Sequence, residues 1–90
     1  MNIKFNKALF ILDKGKYEEG LKLLEKAFEE EENLYERLEI KSCMMEVLYE
    51  MKKYEEVRKC IKYILQNTSE YDDWRAREIA IELKKEMEGK

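Results

Sequence analysis

Two seven-residue segments of this chain align with each other: Gly15-Lys16-Tyr17-Glu18-Glu19-Gly20-Leu21 and Lys52-Lys53-Tyr54-Glu55-Glu56-Val57-Arg58, offset by 37 residues. Each segment lies between one stretch of helical periodicity and another. A period of 20–50 residues marks an architecture of stacked supersecondary units, each unable to bury its apolar face alone. The duplicated turn therefore commits the chain to antiparallel helical hairpins packed side by side. No segment alternates apolar and polar residues for long enough to form a strand.

Five helices are expected. The first spans about Asn2 to Lys14, with Ile3, Phe5, Ala8, Leu9, Ile11 and Leu12 covering a broad apolar face. Gly15 ends it, because glycine readily enters the left-handed conformation that closes a helix. The second begins near Tyr17, with Leu21, Leu24, Ala27 and Phe28 at three- and four-residue spacing. Its C-terminal run Glu29 to Glu32 opposes the helix dipole and is expected to fray. The third runs from about Leu34 to Met51 and the fourth from Tyr54 to Gln66. Asn67-Thr68-Ser69 reads as a loop, with Thr68 or Ser69 as a cap. The fifth is expected from Tyr71 to Met87, with Asp72 and Asp73 in its first turn.

Ninety residues form one small domain. The hydrophobic share of 44% beside a charged share of 43% separates the chain from disordered tails. No apolar run reaches the length of a membrane span, and no apolar leader opens the chain. No membrane association and a cytoplasmic location are expected. The wealth of Lys and Glu suits a thermophile's protein, and an AT-rich genome equally. Segment 17–32 holds seven glutamates against two lysines, while segment 52–67 holds five basic residues against two acidic ones. Such runs ordinarily form solvated faces.

Several chemistries are poorly supported. There is no histidine, the usual acid–base group near neutral pH. No phosphate-binding glycine loop, nucleophile elbow or metal-ligand motif is present. No enzyme activity, cofactor or metal is expected. Cys43 and Cys60 fall level across an antiparallel helix pair. Free thiols are the expectation in a cytosol and a disulfide the alternative, and two thiols without histidine cannot complete a zinc site. Arg58, Lys59 and Lys62 beside Tyr63 form a basic patch, but the acidic remainder repels a phosphate backbone, so nucleic acid is not the expected partner.

The turn and its flanks resemble the tetratricopeptide repeat, whose unit is about 34 residues folded as two antiparallel helices. Ala8 stands at that pattern's small position in the first helix, Gly15 and Tyr17 at its turn, and Gly20, Leu24 and Ala27 at later positions. The second copy is degraded. Met45 replaces the small residue and Lys52 the turn glycine, while Tyr54 is kept and Val57, Ile61 and Ile64 follow. The repeat-ending proline is absent, with Glu32 and Ser69 in its place. The resemblance implies an all-α fold with repeat one at about 1–33, repeat two at about 34–68 and a capping helix at about 70–88, Ala80 being its small position.

Arrays of that family bind peptide segments on the concave face of their first helices. Carried over, that face comprises Phe5, Leu9 and Leu12 of the first helix. The third helix adds Glu39, Ser42, Glu46, Tyr49 and Glu50, and the fifth Arg77, Ile81 and Lys84. Phe5 and Leu9 stand where a carboxylate clamp needs polar side chains. The implied partner is therefore an amphipathic protein or peptide segment with apolar anchors and basic groups. The alternatives are that Phe5, Leu9 and Leu12 are core, buried by the fifth helix, or that the first helix forms a homodimer.

Overall fold

A computed structural model describes residues 2–89. Five helices follow in order: α1 (Ile3–Asp13), α2 (Tyr17–Glu30), α3 (Leu34–Glu50), α4 (Tyr54–Gln66) and α5 (Arg75–Glu88), and no strand occurs among the described residues. The fold is all-α, as expected. Each helix packs on its successor, and α5 also packs on α3.

The duplicated segments form one turn twice. In the first, the Gly15 N–H donates to Leu12 O (2.9 Å) and the Lys16 N–H to Ile11 O (3.4 Å). In the second, the Lys52 N–H donates to Tyr49 O (3.0 Å) and the Lys53 N–H to Leu48 O (2.9 Å). These are the paired bonds of a Schellman closure, repeated at the 37-residue offset. Gly15 sits at φ +79° and its counterpart Lys52 at φ +61°. The second copy thus keeps the left-handed geometry after losing the residue that adopts it freely.

The α1–α2 contact depends on Gly20. A methyl group there would lie 2.5 Å from Leu12 Cδ2 and 2.6 Å from Leu12 Cγ, inside van der Waals contact. The first hairpin therefore closes more tightly than the second, where Val57 occupies the equivalent position. Ala8, Leu24, Ala27, Leu38, Ile40, Met45, Val57, Ile64 and Ala80 are sealed in the core. α3 is the central helix. Its buried residues surround its axis, because α2, α4 and α5 cover different sides of it. α1 behaves differently from its sequence reading. Only Ala8 is fully buried, and Ile3 and Phe10 remain 71% and 62% exposed, because α2 is the one helix that covers α1 extensively.

α2 ends inside the glutamate run, helical to Glu30 with Glu31 and Glu32 outside the helix. Arg37 donates from Nη1 to the carbonyls of Phe28 (2.8 Å) and Glu31 (2.8 Å), supplying cation and donors at the helix's negative end. Its guanidinium also stacks 3.9 Å from the Phe28 ring centroid, and that ring meets Tyr63 edge-on at 5.3 Å. Asn2 donates to Glu31 Oε1 (3.1 Å), and Lys4 pairs with Glu30. Hydrogen bonds, the one from Asn2 foremost, hold the Glu31 carboxyl below its ordinary pKa.

The start of α5 is a correction. Tyr71 to Asp73 lie outside the helix, which begins at Arg75 after Trp74. Asp72 instead accepts the Ser69 N–H (2.6 Å), and the Asp72 N–H donates to Ser69 O (2.9 Å). This reciprocal closure bends 69–72 away from helical geometry, a competition that Ser and Asp side chains regularly win. Neither Thr68 nor Ser69 caps α5. The Thr68 hydroxyl donates to Ile64 O (2.8 Å) and accepts from Arg77 Nη1 (2.9 Å), joining the end of α4 to α5. Trp74 meets Tyr35 edge-on at 5.7 Å, which ties the approach to α5 onto the start of α3.

Candidate functional site

The alternate helices α1, α3 and α5 enclose a groove of about 400 Å³. α1 contributes Phe5 and Leu9, one helical turn apart and so on one face. Val47 and Ser42 of α3 are nearly buried, while Glu39, Cys43, Glu46 and Glu50 reach its opening. Arg75, Ala76 and Ile79 of α5 form the far wall, and Tyr17 lies at the turn end. The groove is an apolar cleft with three carboxylates and one guanidinium. Leu9 is 40% exposed, which leaves it accessible to a ligand.

The electrostatics lean negative. Partial withdrawal from water raises the Glu46 pKa, and the Arg75 charge opposes the rise. Glu46 is itself exposed, so a cation pairing with it gains only what a solvent-screened carboxylate offers. Cys43 is a free thiol pushed up to about 11, chiefly by burial and then by the Glu46 charge. A thiol so protonated at neutral pH is a poor nucleophile. Cys60 is also free and lies in the core, its pKa raised by burial.

Of the residues drawn from the sequence, Phe5, Leu9, Glu39, Ser42, Glu46 and Glu50 line this groove together. Of the other five, Tyr49 lies beside the groove, lining an adjoining cleft with Glu46, Glu50, Arg75 and Ile79, and four lie elsewhere. Leu12 packs on Gly20 between α1 and α2. Tyr49 donates its hydroxyl to Glu86 Oε2 (2.9 Å) and meets Tyr54 edge-on at 5.6 Å. Arg77 serves the Thr68 contact, Ile81 is half-buried, and Lys84 lines a different cleft beside α4. On α5 the groove uses Arg75 and Ile79, on a face roughly opposite to the one expected. Cys43 and Val47 were also missed. Their three- and four-residue spacing from Glu39, Glu46 and Glu50 places them on the same side of α3, and that signal was in the sequence.

Among the described residues no helix is long and apolar enough to cross a membrane. The chain matches no family model, no curated protein and no solved structure.

Proposed function

We propose that this chain is a tetratricopeptide-like adaptor whose role is binding rather than catalysis, and that the groove between α1, α3 and α5 holds a basic amphipathic peptide or helix. The observation that carries the reading is the pairing of an apolar wall, Phe5, Leu9 and Ile79, with the carboxylates of Glu39, Glu46 and Glu50 in one cleft. An apolar anchor enters between α1 and α5, and a Lys or Arg one turn along meets the α3 carboxylates, the helix-in-groove mode of recognition.

The test is fluorescence anisotropy with a labelled amphipathic Leu/Lys peptide. The native chain binds it, and Leu9→Glu and the double variant Glu46→Lys, Glu50→Lys each lose binding while circular dichroism shows unchanged helicity. Equal affinity across all three proteins refutes the reading.

A second reading is favoured by Ile3 and Phe10, whose exposed side chains stand on the outer face of α1. Pairing of two copies through that face makes a homodimer. Light scattering separates the two: Phe10→Ser dissolves such a dimer and leaves peptide binding in the groove intact.

A further inference from the structure

A second cleft, of about 600 Å³, runs between α4 and α5 on residues that the first groove does not share. Its floor is Ile61, Leu65 and Met87, and its rim is Arg58, Lys62 and Lys84. On α4 the residues 58, 61, 62 and 65 follow the i, i+3, i+4, i+7 rule, so two turns of one helical face lie along the cleft. Arg58 is already paired with Glu55 at 2.6 Å. Lys62 and Lys84 have no ion-pair partner among the described residues, and the opposing carboxylate on the lining is Glu88.

We propose that this cleft docks an acidic amphipathic helix of a partner protein. An apolar side chain of that helix seats against Ile61, Leu65 and Met87, and carboxylates one turn to either side meet Lys62 and Lys84. The charge of the rim selects the occupant. It is complementary to acidic segments and repels the basic ligand assigned to the first groove, so the two clefts take segments of opposite charge. The apolar floor favours a helix over a nucleic acid, which needs a stacking platform along its phosphate track. The inference stands on different residues from the first groove and does not require that groove to be used.

The experiment is anisotropy with a labelled amphipathic Leu/Glu peptide of about 16 residues, a little over four helical turns, read against the native chain and three variants. The native chain and Leu9→Glu bind it equally. Lys62→Glu with Lys84→Glu weakens binding about tenfold or more, as expected when two charge pairs become repulsions, and added salt weakens the native complex. Leu65→Ala loses affinity with helicity retained. Lys62 and Lys84 are exposed, so the double variant keeps its fold, which circular dichroism verifies. Absence of peptide binding overturns the proposal, as does undiminished affinity in the double variant. Displacement of the peptide by an equally charged oligonucleotide overturns it in favour of nucleic acid. A native dimer that the double variant dissolves overturns it in favour of a second copy.

Discussion

Exchanging the turn residues between the two hairpins changes stability in opposite directions. Lys52 holds φ +61° and is exposed, so its side chain gains nothing from packing to offset the left-handed backbone. That conformation costs an L-residue about 1–2 kcal/mol. Replacement by glycine removes the cost but frees the unfolded chain, which gives back about 0.4–1 kcal/mol. Lys52→Gly therefore stabilises the fold by about 0.5–1 kcal/mol, a rise in Tm of about 2–8 °C for a domain of this size. Gly15→Lys loses a similar amount. A Cβ at Gly15 has no neighbour within 4 Å, so its penalty is the backbone's alone. Combined, the two changes cancel, because the turns lie at different hairpins and share no partner. Urea unfolding followed by circular dichroism measures all three, and unchanged m-values show that stability, rather than the compactness of either state, has changed. A neutral or destabilising Lys52→Gly refutes the reasoning, since it would mean that the left-handed turn is not strained.

Arg37→Met should destabilise by about 2–3 kcal/mol in the same assay, because two carbonyls at the end of α2 lose a charged donor, and Arg37→Lys should not restore it, since an ammonium lacks the planar fork. Gly20→Val, which copies the second repeat into the first, should cost about 1–3 kcal/mol by forcing Leu12 aside, and an unchanged Tm would show that the hairpin yields freely. Glu46→Gln should raise stability slightly at neutral pH. The folded-state pKa of Glu46 is raised, so its charge is unfavourable to the fold above that pKa, and the difference between variant and native should vanish as the pH falls and the native carboxyl protonates. Alkylation of Cys43 should remain slow at neutral pH and accelerate only toward pH 11, where its thiolate forms; fast labelling at neutral pH would show a thiol in different surroundings.

Four of the five helices were legible because turn chemistry and apolar period agree there. Gly15 and the Tyr-Glu-Glu starts of α2 and α4 set boundaries that packing had no reason to override. α5 was misread at its start because Asp72 has two uses. It supports a first helical turn, or it closes a loop on Ser69, and nothing in the local sequence ranks a hydrogen bond against a dipole. The groove was half legible for a related reason. Periodicity groups Arg77, Ile81 and Lys84 on one face and Arg75 and Ile79 on another, but it does not say which face turns toward α3. Packing contacts accompany that rotation, Trp74 on Tyr35 from far along the chain and Arg77 on Thr68 across the preceding loop. What the sequence did not show at the end of α2 is Arg37, which lies in the next helix and reaches back to carbonyls that the local sequence leaves without partners.

The packing of α5 on α3 bears on how the molecule assembles. The hairpins and their junctions join consecutive helices, and such short-range closures form early and at little entropic cost. The α3–α5 contact bridges across α4 and must await it. α5 also enters without a side-chain cap. It should thus be among the last segments to dock during folding. Arg75 and Ile79 come with it, so the wall facing Phe5 and Leu9 is completed only when α5 docks on α3.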